Sequence, residues 1–476
     1  MSRTIPRIMI AGVNSGSGKT TITCGILQML KNRGLRPVAF KCGPDYIDPM
    51  FHKSVLGVDG SNLDLFLFPK ETARYLLQKN MEHADIAVIE GVMGLYDGIG
   101  ADGTDCSTYD VAKTVKAPTI LIVPCNGMSY SALAMVKGFI DYKKDSNIQG
   151  IIFNHMHPTT FEELKKLWEP NAPKLLGYIN QIPKELQFKS RHLGLVTALE
   201  IDEIQKKLMD LANHLQLTID LDGIIELAQK AEDFDEIYTD QMVYNQLQEC
   251  AKQQECDKQQ ECAKQQEGKK KQTVRVAIAM DQAFCFYYKD NLQLFEDMGM
   301  ELVPFSPVKD SHLPESICGI ILGGGYPELY LEQLSANTTL KQEIHRALMD
   351  GMPCIAECGG FMYLNESIDG YPMVGFLESS CSNQSKLVRF GYTTLTAKKD
   401  NLLCKAGEQL RGHEFHYYDC KDNGDSFLAA KKNGTVWDSV IANDTLYAGY
   451  PHLHFYSNPQ AAYNYYLKCL EYASKE

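Results

Sequence analysis

A short apolar run, Met352-Pro-Cys-Ile-Ala-Glu-Cys-Gly-Gly-Phe-Met-Tyr-Leu364, stops abruptly at a cysteine followed by two glycines. The residues after Pro353 read as a buried strand, Gly359 and Gly360 permit a tight turn, and Phe361 to Leu364 open a helical pattern. A strand-to-helix turn of this kind holds a side chain in a strained, exposed position. The amides that open the helix can stabilise first a thiolate and then an oxyanion. Cys358 is therefore the candidate nucleophile, with the Gly359 amide as one oxyanion donor. The chain has fifteen cysteines, and a buried cysteine is ordinarily a small core residue, so chemistry at Cys358 requires partners. Upstream, Cys318-Gly-Ile-Ile-Leu-Gly-Gly-Gly-Tyr-Pro-Glu328 reads as a strand entering a glycine turn that can aim an N–H from about Gly324 or Gly325 at the same oxyanion. Downstream, Tyr450-Pro-His-Leu-His-Phe455 offers a histidine base after another apolar strand.

A second kind of chemistry lies at the other end of the chain. Arg7 to Ala11 reads as a strand, followed by Gly12-Val-Asn-Ser-Gly-Ser-Gly-Lys-Thr-Thr21 and an amphipathic helix to about Lys31. Successive amides of such a loop, across Asn14, Ser15, Gly16, Ser17, Gly18 and on to Thr21, cradle phosphate oxygens. Lys19 reaches the terminal phosphates and Thr20 can ligate Mg²⁺. Five residues separate Gly12 from Gly18, one more than the strict P-loop spacing, and this longer loop resembles that of dethiobiotin-synthetase-like and ParA-like ATPases. After a second strand, Pro37 to Lys41, the proline-broken loop Cys42 to His52 carries Asp45 and Asp48, either turn residues or ligands at the carboxyl edge of a parallel sheet. A buried run, Asp85 to Glu90, delivers Glu90 and then Asp97 to the same edge. An acidic residue ending a buried strand is the usual outer support of nucleotide-bound Mg²⁺, and Glu90 is the choice for it here.

The elements that must position these groups follow a repeated β–α pattern. Further strands at Thr119 to Pro124 and Gly150 to Asn154 imply a doubly wound, mostly parallel sheet. Ser190-Arg-His-Leu-Gly-Leu195 places a cation and an imidazole, Arg191 and His192, in a loop. At 476 residues and 44% hydrophobic content, the chain has room for two large domains. Forty-seven basic against sixty acidic residues give a net charge of −13, which disfavours nucleic acid or an anionic membrane as partner. No apolar run approaches a membrane span and the N-terminus has no signal-peptide core. A cytoplasmic location and free thiols are therefore the expectation. Residues 249–266 are three copies of a six-residue unit, ECAKQQ, ECDKQQ and ECAKQQ. This charged, glutamine-rich stretch reads as a solvated helix or disordered linker. Six-residue spacing keeps Cys250, Cys256 and Cys262 from sharing one helix face, which argues against a metal site. Deleting 249–266 should leave thermal stability and activity essentially unchanged; loss of soluble protein on deletion would mark the segment as packed structure.

Cys358, the glycine turn and the histidine strand, in this order, resemble a class I glutamine amidotransferase domain. Ala356 replaces the first glycine of the usual Gly-x-Cys-x-Gly, and the usual His-Pro-Glu is His452-Leu453-His454. The carboxylate that would orient the imidazole is thus missing from its usual place. The cobyrinic-acid type shows the same His-x-His, which implies His452 as base and His454 as the less favoured substitute. The P-loop, Gly43 to Pro49, Glu90 to Gly98, Arg191 to Leu195 and the C-terminal domain together resemble the cobyrinic acid a,c-diamide synthase family over nearly the whole chain. Arg411-Gly-His-Glu-Phe-His416 also looks like a block of that family and is assigned no step.

The resemblance implies a dethiobiotin-synthetase-like P-loop domain at 1–240, a low-complexity linker at 241–272 and an amidotransferase α/β domain at 273–476. It implies an ATP- and glutamine-dependent ligase acting on a tetrapyrrole acid in cobalamin biosynthesis, with catalytic Cys358 and His452, and oxyanion donors at Gly324 and Gly359. Thr20, Asp45 and Glu90 would serve Mg²⁺, and Asp48, Asp97, Arg191 and His192 the substrate. Oligomeric state is left open, a homodimer included. Rivals within the class are nickel-sirohydrochlorin a,c-diamide synthase and cobyric acid synthase. A ParA-like ATP-driven switch would account for the P-loop but not for Cys358 with His452.

Overall fold

A computed structural model describes residues 5–100, 103–186, 198–234 and 273–475. Arg191, His192 and the repeat at 249–266 lie outside them. The chain divides into two compact units, Met1–Tyr238 and Thr239–Glu476. Among the described residues no helix is long and apolar enough to cross a membrane.

In the first unit seven strands, β1 (Arg7–Gly12), β2 (Pro37–Cys42), β3 (Gly60–Leu63), β4 (Ile86–Glu90), β5 (Thr119–Pro124), β6 (Ile148–Asn154) and β7 (Lys174–Ile179), form one sheet in the order β3-β2-β4-β1-β5-β6-β7. Every neighbouring pair is parallel. β1, β2 and β4 are buried along their whole length, as expected of a parallel sheet covered on both faces. β1 sits between β4 and β5, so the strand order reverses at its carboxyl end, where an open α/β sheet leaves a crevice for ligand. Helix α1 (Lys19–Asn32) packs Ile22, Ile26, Leu27 and Leu30 into the core, the i, i+4, i+8 face of an amphipathic helix.

The second unit is built on a six-stranded sheet whose order is Met300–Phe305, Val274–Ala279, Ile320–Leu322, Cys354–Glu357, Leu446–Gly449 and Ile441–Ala442. All pairs are parallel except the last. The nucleophile strand is therefore central. Beside it an antiparallel five-stranded sheet contains Arg389–Ala397, Gln409–His416 and the two-residue strand His452–Leu453. One expectation is corrected here. Cys381 and Cys420 face each other across antiparallel strands, with Cα atoms 4.0 Å apart, and are joined in a disulfide. Strand register alone brings them together, and sequence spacing carries no sign of it. Ten other described cysteines are free thiols.

Candidate functional site

The phosphate loop is held by its own polar groups. Ser17 Oγ donates to Asn14 O at 2.7 Å and accepts the Asn14 N–H at 3.1 Å. A Cβ on Gly12 would lie 2.8 Å from Ser17 Oγ, so the turn needs glycine there. Gly18 caps α1 at φ 93°, a left-handed backbone that leaves the first helical amides without a side-chain cap and open to an anion. Asn154, at the end of β6, donates from Nδ2 to Ser17 O at 2.9 Å and stiffens the loop from behind. Lys19 Nζ donates to Asn14 O at 3.1 Å and to Met93 O, folded back over the loop. Burial lowers its pKa to about 8, opposed by the nearby Glu90 carboxylate.

Glu90 ends β4 and reaches the same place. Its Oε1 accepts from Thr20 Oγ1 and from Lys41 Nζ, both at 2.7 Å, while Oε2 is buried without a hydrogen-bond partner. Burial raises the Glu90 pKa, with Lys41 working against the rise. Lys41, a cation inside the apolar strand β2, is the residue that sequence reading missed. It is 7% exposed and also pairs with Asp48 Oδ2 at 2.5 Å. Burial disfavours its ammonium, yet Glu90 and Asp48 together raise its pKa above the usual lysine value. Asp48, expected to face substrate, is instead 2% exposed and occupied with Lys41. A carboxylate this deep needs the nearby cation. Asp45 accepts the Ile47 N–H at 2.8 Å, and burial, then Asp48, raises its pKa. Asp97 Oδ2 accepts the Gly94 N–H at 2.8 Å, and Leu95 N donates to Gly12 O at 2.8 Å, which ties the Glu90–Gly98 segment to the phosphate loop.

In the second unit, Cys358 ends its strand at φ 48°, ψ −102° and is followed directly by helix Gly359–Leu364. A non-glycine residue at this φ is strained. The surroundings enforce it: Cys358 N donates to Gly449 O at 2.8 Å, and Gly360 N to Gly323 O at 3.0 Å. A Cβ on Gly360 would fall 2.1 Å from Leu322 O, so the helix can press against the glycine strand only as it does. The Gly359 Cβ position is 3.2 Å from Gly325 N, and that of Gly324 is 2.2 Å from His452 Cε1. Cysteine turn, glycine strand and imidazole therefore converge. His454 points elsewhere, packing against Tyr288 with ring centroids 4.8 Å apart.

An acidic side chain approaches His452 from another direction. Glu357, immediately before the nucleophile, lies with Oε2 3.9 Å from His452 Nδ1, while Oε1 accepts the Leu453 N–H at 3.2 Å. Burial raises Glu357 to about 8 and lowers His452 to about 3. The Cys358 thiol is pushed up by burial and then by Glu328. Burial favours the neutral form of both the thiol and the imidazole, which suits transfer of the thiol proton as the nucleophile attacks. Gly324→Ala should displace the imidazole and reduce glutamine hydrolysis on the order of a hundredfold, with amidation from free ammonia retained. Steady-state rates with each nitrogen donor check this.

Residues 8–230 match the family model described as CobQ/CobB/MinD/ParA nucleotide binding domain, and residues 275–460 match the CobB/CobQ-like glutamine amidotransferase domain. The first of these implies that the chain uses ATP. The chain is 37% identical over 473 residues to cobyrinate a,c-diamide synthase of Dehalococcoides mccartyi, covering 97% of both. It is 36% identical to that of Caldanaerobacter subterraneus subsp. tengcongensis, covering 98% of this chain and 99% of the relative. For the Priestia megaterium enzyme the figures are 34% and 97% of both. Likeness of this degree, running through both units and both sites, places the chain in the cobyrinate a,c-diamide synthase family.

Proposed function

We propose that this chain is a ligase that uses ATP and glutamine to convert the a- and c-acetate carboxylates of cobyrinic acid to amides. Residues 1–240 would form the synthetase, 241–272 a spacer and 273–476 the amidotransferase. The observation that carries this reading is the convergence of Cys358, at φ 48°, with the glycine strand and His452, in a chain that also carries a phosphate loop. A nucleotide switch has no use for a nucleophile elbow.

A carboxylate is a poor acylating agent. Its oxygen would attack the γ-phosphorus of ATP, giving an acyl phosphate and ADP; ammonia would then displace inorganic phosphate and leave the amide. Asn14 to Thr21 would hold the phosphates, and Lys19 would exchange its two carbonyl partners for the transferring group. For Mg²⁺, Thr20, Glu90 and Asp45 offer hard oxygens, and the partnerless Glu90 Oε2 is the atom most in need of a cation. Among the described residues no three His, Cys, Asp or Glu side chains converge to hold a metal unaided. That suits an ion completed by phosphate oxygens and water. When bound, it neutralises charge on the phosphates. Asp97, Arg191 and His192 would meet the acidic substrate.

At the second site Cys358 Sγ would attack the glutamine carboxamide carbon while His452 takes the thiol proton and returns it to the departing ammonia. The thioester would then be hydrolysed to glutamate. Amides at Gly359 and at Gly324 or Gly325 would hold the oxyanion in both halves.

The test is product analysis with purified protein, ATP, glutamine and a panel of cobalt, nickel and metal-free tetrapyrrole acids. Two carboxyl groups amidated on the cobalt corrinoid, with one ATP and one glutamine consumed per amide, is the expected result. Preference for the nickel tetrapyrrole would move the substrate assignment, and ATP hydrolysis with no amide formed would overturn the reading.

A further inference from the structure

The position two residues after His452, where the amidotransferase pattern has a carboxylate, holds His454, and that ring packs away against Tyr288. The acidic group that reaches His452 belongs to Glu357, the last residue of the central strand Cys354–Glu357 and the one directly before the nucleophile. Glu357 is buried, and its two oxygens have different neighbours. Oε1 accepts the Leu453 N–H at 3.2 Å, and Oε2 stands 3.9 Å from His452 Nδ1. One carboxyl group therefore joins the backbone of the base strand to the ring of the base. Leu453 is held from its other side as well: Asn291 Nδ2 donates to Leu453 O, and Asn291 Oδ1 accepts the Phe455 N–H, both at 2.8 Å. At 3.9 Å the Glu357–His452 contact is an ion-pair distance and not a hydrogen bond. Such contacts between catalytic groups commonly close fully only with substrate in place. Among the described residues no lysine or arginine pairs with Glu357.

We propose that Glu357 is the positioning residue of the base, holding His452 as the tautomer that carries its hydrogen on Nδ1 and keeps a lone pair on Nε2 for the thiol proton. The proposal rests on the glutaminase reading of the Cys358 site. An ionised Glu357 accepts the Nδ1–H and then faces the imidazolium that forms as the thiol proton arrives. A protonated Glu357 does the opposite: it donates to Nδ1 and drives the ring hydrogen onto Nε2, where it blocks the base. Burial favours that blocked form, since it raises Glu357 to about 8 with only the Leu453 amide opposing it. The working state is therefore reached by loss of one proton from the pair. Glutamine hydrolysis should rise with pH through the neutral and mildly alkaline range as that proton leaves. The other titratable groups facing the pair are Cys358 on the elbow, Tyr287 and Tyr447 about Glu357, and His413 opposite His452 on strand Gln409–His416. Glu414 and His416 of that strand are buried on its other face. None of these is a fixed cation that keeps Glu357 ionised at low pH.

Glutamate release from glutamine is to be followed against pH with the full-length protein, its Glu357→Gln variant and Cys358→Ala. In Glu357→Gln the amide oxygen keeps the Leu453 N–H, which turns the amide NH₂ towards Nδ1 and imposes the blocked tautomer at every pH. The expected result is a kcat lower by on the order of a hundredfold or more, with KM changed little and the rise of kcat with pH lost. Amidation from free ammonia should match wild type. A variant kcat close to that of wild type would show that Glu357 serves only the Leu453 amide and would overturn the proposal. A reduced kcat that keeps the wild-type pH dependence would overturn it as well. So would a wild-type kcat that is flat from about pH 6 to about 9, which needs no variant and keeps the test decisive even where Glu357→Gln does not fold. Glutamine hydrolysis by Cys358→Ala is a separate failure, since it removes the glutaminase reading itself and this proposal with it.

Discussion

Cys358→Ala is expected to abolish amidation from glutamine while amidation from free ammonia continues at the wild-type rate. Only this side chain is asked to form a covalent bond to glutamine, and it stands on backbone fixed by contacts that Ala leaves alone: the amide to Gly449 O, and Gly360 against Leu322. Ala adopts φ 48° no more readily than Cys does, so the elbow keeps its strain and its shape. The phosphate loop belongs to a separate compact unit with its own core. Loss of a nucleophile that works as a unit with its base costs on the order of 10⁴-fold or more. Glutamate release and amide formation are to be measured separately, the latter with ammonium at a pH where an appreciable fraction is unprotonated, together with trapping of a glutamine-derived adduct on the protein. His452→Ala should resemble Cys358→Ala. His454→Ala should be milder, since that ring packs against Tyr288 and not against Gly324. Full glutamine-dependent activity in Cys358→Ala, or an adduct on another cysteine, would refute the assignment.

The elbow was legible because its requirements are local. A strand, a residue with positive φ, two glycines and a helix are consecutive, and the clash at Gly360 explains why glycine stands there. The phosphate loop was legible for the same reason. What sequence reading missed depends on register between distant strands. Lys41 ends the second strand with no sign in the sequence of a role; only the pairing of β2 with β4 puts it opposite Glu90. What orients His452 is open in the sequence; Glu357 comes within 3.9 Å of it because its strand pairs with Leu446–Gly449, three residues before His452. The disulfide and the inward-facing Glu414 and His416 have the same origin, since no spacing in the chain announces which residues of an antiparallel layer face each other.

The second large effect is expected at the phosphate loop, where two buried lysines close together should fail in different ways. Lys19→Ala removes the cation that meets the transferring phosphoryl group. Amidation should fall by about 10³-fold or more with either nitrogen donor. Stability should change little, because in the resting protein Lys19 bonds only two loop carbonyls, Asn14 O and Met93 O. Lys41→Met is expected to damage folding instead. Its ammonium is shared by Glu90 Oε1 at 2.7 Å and Asp48 Oδ2 at 2.5 Å, both carboxylates nearly inaccessible to water. Removing one partner of such a buried cluster leaves uncompensated charge and costs about 3–5 kcal/mol, part of which is recovered as the carboxylates take up protons. Urea denaturation of the two variants, with amidation rates from ammonia, separates the roles. A stable but inactive Lys41→Met, or an unfolded Lys19→Ala, would mean that the two cations exchange the tasks assigned to them.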